Sequence, residues 1–262
     1  MESCTRRQLL AGSSLLAMSG LAAATHADTA LIDAAPKAAA STDTTKLKVL
    51  VAGAHPGDPE AGCGGTIARY ADAGHEVVAL YLTCGEAGVS GKSHAEAAAI
   101  RIAELEKSCT LLKARPLLAR QIDGQTEVSP SQYKAFRQLI DDEKPDVVFT
   151  HWPIDSHRDH RACSLLTFDA FLSLGRKFAL YYYEVNLGEE TQNFQPTRYV
   201  DITAVEPRKR DACMAHVSQG PAKFYADYFA KMHVFRGMEA GFHQAEAFVH
   251  LDQSPTGRLP GG

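Results

Sequence analysis

From about residue 46 onward, short apolar runs alternate with longer helical patterns, and this alternation leaves few folds open to the chain. Residues 47–52, 76–82, 116–121, 146–150, 179–185 and 198–202 read as strands. Between them lie helical stretches at 66–73, closed by Gly74, and from the Ser93 N-cap to Leu112, with Ala99, Ile102, Ala103, Leu105 and Leu112 on the buried face. Two more run from Ser129-Pro130 to about 142 and from about 159 to 173, with further helices at 205–216 and 221–232. Strands that alternate with helices build a mostly parallel sheet covered on its faces. The expectation is a single α/β domain over 46–250, a Rossmann-like three-layer sandwich, followed by a C-terminal tail at 251–262. The chain is 45% hydrophobic and 22% charged with a net charge of −4, so it has the apolar material for a core of that size. A disordered chain would be poorer in hydrophobics. The acidic balance and the absence of a basic, aromatic-interleaved patch argue against a nucleic-acid partner.

The first 45 residues stand apart. Arg6-Arg7 precedes Gln8-Leu9-Leu10 and a weakly apolar run to Ala24, broken by Gly12, Ser13, Ser14, Ser19 and Gly20. Residues 1–27 therefore read as a twin-arginine-type export signal with a small-residue cleavage site at Thr25-His26-Ala27. The run is too weak for a stable membrane anchor, and the expected location is periplasmic or extracellular. Residues 28–45, rich in Ala, Thr, Asp and Ser, read as a flexible leader. Beyond the signal the cysteines are Cys63, Cys84, Cys109, Cys163 and Cys213. An odd number with no CxxC pair argues against a disulfide framework. Cys84 reads as a small buried packing residue in preference to a reactive thiol.

Two polar clusters follow strands directly: 54–60 (AHPGDPE) and 151–160 (HWPIDSHRDH). Ligands of open parallel sheets bind beyond the carboxyl ends of the strands, so clusters far apart in sequence can share one site there. Histidine and carboxylate suit zinc, which in catalytic sites takes three protein ligands and leaves a place for water. His55, Asp58 and His160 can supply that set. His157 and His160 are three residues apart and share a helical side, so one can bind metal while the other faces substrate. The simpler alternative is that His55 and Asp58 cap the next helix and the second cluster is a solvated loop. Gly62-Cys63-Gly64-Gly65-Thr66 lacks the order of a phosphate loop and reads as close packing of the first helix.

These segments resemble the zinc-dependent N-acetylglucosaminyl deacetylases of the PIG-L/LmbE-like group. AHPGDPE is similar to that family's AHPDDxE and HRDH at 157–160 to its HPDH; GCGGTIARY at 62–70, GEAG at 85–88, RIAEL at 101–105, YYYEV at 181–185 and YVDIT at 199–203 continue the pattern. The resemblance implies a metal-dependent amidohydrolase that removes an N-acetyl or other N-acyl group from an amino sugar or glycoconjugate by metal-activated water. It implies zinc (Zn2+), or another divalent transition metal, on His55, Asp58 and His160. His157 would polarise the carbonyl and protonate the leaving amine, Asp159 would orient a histidine, and Arg101 would contact the small-molecule or glycan substrate. Arg101 has a competing reading as an exposed helix charge paired with a nearby carboxylate. One departure matters: Gly57 stands where the family carries the aspartate usually assigned as general base. Asp155 is the expected substitute, with Glu60 second. The alternative is a metal-containing carbohydrate-binding protein whose catalysis is weak or lost.

Overall fold

A computed structural model describes residues 45–185 and 190–261. The expected export signal, and all of the expected leader but residue 45, lie outside the described residues. The strands are β1 (Lys48–Gly53), β2 (Glu76–Thr83), β3 (Arg115–Gln121), β4 (Val147–His151), β5 (Ala179–Tyr183), β6 (Arg198–Asp201) and β7 (Ala245–His250). They form one sheet in the order β3-β2-β1-β4-β5-β7-β6. The five strands from β3 to β5 run parallel, while β7 pairs antiparallel with both β5 and β6. The helices are α1 (Asp58–Asp72), α2 (His94–Leu112), α3 (Pro130–Glu143), α4 (Arg158–Ser173), α5 (Glu206–Met214), the short α6 (Pro221–Phe224) and α7 (Ala230–Ala240). Alternation along β1 separates the two cores. Val49 and Val51 pack with Cys63 and Ile67 of α1 on one face, and Leu50 and Ala52 pack with Phe136 of α3 and Leu166 of α4 on the other. This is the expected three-layer α/β arrangement.

Three elements depart from the sequence expectation. Helix α1 begins at Asp58, well before residue 66, and contains the whole glycine run. Glycine weakens a helix by about 1 kcal/mol relative to alanine, but here contact requires it. A Cβ on Gly62 would stand 2.3 Å from the Tyr183 ring, and one on Gly65 would stand 2.4 Å from Ile202. The packing reading of this run holds. Strand β7 was not expected, because Glu246 and His250 interrupt its apolar pattern. Glu246 is nonetheless buried: it accepts the Gly65 and Thr66 N–H groups at 2.7 and 2.8 Å and the Lys209 ammonium at 2.6 Å. Finally, the single helix expected at 221–232 is α6, a π-helical turn (Tyr225–Phe229) and α7. Beyond β7, Ser254 accepts the Leu180 N–H at 3.1 Å and Gly257 accepts the Tyr181 hydroxyl at 3.0 Å, so the chain continues along the outside of β5. The five described cysteines are buried and unpaired, and burial pushes the Cys84 thiol up, away from the thiolate that nucleophilic chemistry needs.

Candidate metal centre

The chain steps from β1 to β2 on one side and later places β4 on the other side of β1, so the sheet changes direction between β1 and β4. A crevice opens beyond the carboxyl ends of two such strands. Residues 55–58 follow β1 and 155–160 follow β4, and the two clusters meet there.

They converge on one oxygen. Asp58 Oδ2 accepts the His55 N–H at 2.8 Å and lies 3.3 Å from His55 Nδ1, 3.2 Å from His151 Nε2 and 3.5 Å from His160 Nε2. The far side of each expected histidine ligand meets a carboxylate. His55 Nε2 is 3.2 Å from both Asp123 Oδ1 and Asp159 Oδ2, and His160 Nδ1 is 3.2 Å from Asp155 Oδ2, close enough for ion pairing although not aligned as a hydrogen bond. A carboxylate behind a ligating histidine fixes its tautomer and raises its basicity. Two overlapping groups, His55-His157-His160 and Asp58-His151-His160, place their donor atoms within 4.8 Å of one another. The donor set of imidazole and carboxylate fits zinc.

The electrostatics agree with a cation site. Burial works against charge on Asp58, yet His160, His151 and His55 hold its carboxyl well below the usual range. Burial also opposes the His55 imidazolium, but hydrogen bonds to Asp123, Asp159 and Asp58 raise that imidazole well above its ordinary value. His160 is raised against burial by Asp58 and Asp155. By contrast, burial and the neighbouring His160 push His151 down to about 4, and burial with His55 and His160 lowers His157. Four aspartates surround the two imidazoles, and their charge favours protons on His55 and His160 when no cation is bound. A divalent cation would displace those protons.

The other expected site residues divide into two groups. His157 caps α4, and its Nδ1 accepts the Asp159 N–H at 3.3 Å. In its neutral form Nε2 then carries the proton, and the residue lines the cleft. Arg101 also lines the cleft and is buried, not exposed; it donates to the Pro56 carbonyl and approaches Glu104 at 3.5 Å. Asp155 and Asp159 lie behind the histidines. Asp159 accepts from Thr126 at 2.6 Å and from the Gly124 N–H at 2.8 Å, and these bonds with that of His55 overcome burial and hold it far below the usual range. The Asp155 side chain is fully buried. Oδ1 takes the His157 N–H at 2.7 Å, and Oδ2 takes Thr191 at 3.3 Å and faces His160. Gly57 has φ +110, a left-handed conformation that glycine favours.

Sequence reading gave no role to His151, Asp123 or His216. His151 ends β4 and Asp123 follows β3, so their position at strand ends was the available signal. His216 follows α5 and carries no motif. It lines the cleft, which measures about 510 Å³ and also receives Val185, Cys213, Pro221, Phe224 and Phe229.

The family model for GlcNAc-PI de-N-acetylases, PIG-L, matches residues 50–171. Diacetylchitobiose deacetylase of Thermococcus kodakarensis is 29% identical over 229 residues, covering 78% of this chain and 85% of the relative. The uncharacterized deacetylase YaiS of Escherichia coli is 30% identical over 138 residues, covering 52% of this chain and 69% of that protein. Among solved structures, N,N'-diacetylchitobiose deacetylase from Pyrococcus horikoshii, complexed with its inhibitor MPG, superposes with a TM-score of 0.69 at 28% identity, covering 82% of this chain and 84% of that one.

Proposed function

This chain belongs to the PIG-L family of de-N-acetylases, and on that premise we propose that it hydrolyses the N-acetyl, or another N-acyl, group of an amino sugar or glycoconjugate. The observation that carries the proposal is the convergence of His55, His151 and His160 on Asp58, with carboxylates behind His55 and His160. Zinc held by His55, Asp58 and His160 would supply an activated water and polarise the acyl oxygen.

The chain's own residues do the rest. His157 donates from Nε2 to the acyl oxygen as negative charge develops there and, in its protonated imidazolium form, gives a proton to the departing amine. Arg101 presents a buried cation to substrate oxygens. Asp159 and Asp155 are positioning residues that fix His55 and His160. Asp155 does not serve as the base, since both of its oxygens are occupied and its side chain is sealed from the cleft.

The test is metal analysis of the purified protein combined with acetate release from N-acetylglucosamine and N,N'-diacetylchitobiose. Expected are one zinc per chain and turnover that stops on chelation or in His157→Ala. Zinc binding without turnover across a panel of N-acyl sugars would favour a carbohydrate-binding protein, a reading supported by the missing side chain at Gly57. The Arg6-Arg7 pattern supports export to the periplasm or beyond, which cell fractionation tests.

A further inference from the structure

Amide hydrolysis needs a group in the cleft that can accept a proton from water, and most titratable groups there are engaged. His55, Asp58 and His160 form the metal set. Asp123 spends one oxygen on His55 Nε2 and the other on the Ala87 N–H at 3.1 Å. The Nδ1 of His157 caps its helix. Glu190 lies 4.0 Å from His160 Nδ1, on the edge of that ring turned away from Asp58.

His216 is different. It is 3% exposed and lines the cleft, yet neither ring nitrogen completes an aligned hydrogen bond among the described residues. Nε2 stands 3.2 Å from Glu60 Oε1. Glu60 is itself fixed, accepting the Tyr81 hydroxyl at 2.8 Å and the Gly57 N–H at 3.1 Å. A carboxylate facing Nε2 favours the tautomer with its proton there, which leaves a buried Nδ1 lone pair with no hydrogen-bond donor among the described residues. The ring lies against Gly57, where a Cβ would be 3.8 Å from Cδ2 and Cγ and 4.0 Å from Nδ1, so position 57 adds no side chain in front of it. The turn beyond His216 (Val217–Gln219) is tied down: Ser218 donates its N–H and hydroxyl to Glu104 at 2.6 and 2.8 Å, and Gln219 donates to the Gly88 carbonyl at 2.9 Å.

We propose that His216, oriented by Glu60, is the catalytic proton acceptor of this site, an assignment that rests on the N-acyl hydrolase reading. One O–H bond of the attacking water breaks and its proton goes to Nδ1, while the oxygen bonds to the acyl carbon. The C–N bond then breaks with its electron pair on nitrogen, and the amine takes a proton from the His157 imidazolium, which becomes the neutral imidazole. His216 returns its proton to solvent and His157 regains one, so the net change is one amide and one water giving one carboxylic acid and one amine.

The experiment compares wild type with His216→Gln, which keeps the size and polarity of the side chain but cannot accept the proton. Expected is a fall in kcat of about 10²- to 10⁴-fold, with zinc content unchanged and KM within about threefold. A second measurement needs no variant: long-range proton–nitrogen NMR of the metal-free wild-type protein should find His216 protonated on Nε2 and bare on Nδ1. A wild-type rate in His216→Gln, or a proton on Nδ1, overturns the assignment and leaves the hydrolase reading standing. A wild-type protein without turnover on any N-acyl sugar removes both.

Discussion

The floor and one wall of the cleft are built on different principles. The floor consists of short loops at the ends of parallel strands, and nearly every functional group in it is held by a second one: His55 by Asp123 and Asp159, and His160 by Asp155. The wall comes from the C-terminal third, where α5, a 3-10 turn, α6, a π turn and α7 follow one another within about forty residues. Its cleft residues Pro221, Phe224 and Phe229 are apolar, and Phe224 is 48% exposed. Strand ends are fixed by the ladder, so they suit a centre that tolerates little displacement. A wall of short helical pieces can change shape while the floor stays intact. The contrast assigns the metal set to the floor and, apart from His216 with its tied-down turn, the fit of different substrates to the wall.

The sharpest way to break this division is Asp58→Ala. It removes the oxygen on which three imidazoles converge, and metal content and turnover should both disappear while the circular dichroism spectrum is retained; a variant that still binds zinc would refute the centre. Next is Lys209→Met, on the wall side. Lys209 is fully buried against Glu246, and removing one partner of such a pair costs about 3–5 kcal/mol. Denaturant unfolding should register that loss, and a change below about 1 kcal/mol would show that the wall is not pinned in this way. Smaller again is Asp159→Asn, which should weaken zinc affinity about 10- to 100-fold in competition with a chelator. An unchanged affinity would mean that Asp123 alone holds His55.

The mildest effect concerns pH. Burial, reinforced by Lys209, holds the His233 imidazole of α7 well below its ordinary value. The unfolded chain therefore binds that proton first, so the stability due to His233 is complete above about pH 6.5 and declines as the pH falls below it. Thermal melts of His233→Gln should show a shallower decline between about pH 6.5 and 5 than wild type. Asp159 behaves differently: its depressed value makes its contribution complete above the ordinary carboxylate value of about 4, and that contribution is lost as the pH falls below it.

The floor was legible in the sequence because each motif is contiguous and follows an apolar strand. Two strands, two clusters and the crossover rule bring His55, Asp58 and His160 together without further information. Asp155 was found, but not its burial behind His160, since burial decides whether a carboxylate can face substrate or hold a neighbour, and burial is a tertiary property. The start of α1 was hidden by glycines that weaken a helix locally and are repaid by contact with Tyr183 and Ile202. Strand β7 was hidden by Glu246, whose charge is acceptable only because Lys209 and two amides of α1 meet it. His216 has no local signature, because its partners Glu60 and Gly57 lie on another helix and loop.

The grip of Glu246 on the Gly65 and Thr66 amides has a consequence for biosynthesis. The helix that opens with Asp58 leaves the ribosome well before the strand that clamps it. A nascent chain that stops short of β7 would own both ligand-bearing loops and still lack this clamp on α1, so the support beneath the first loop is completed only once β7 has been made.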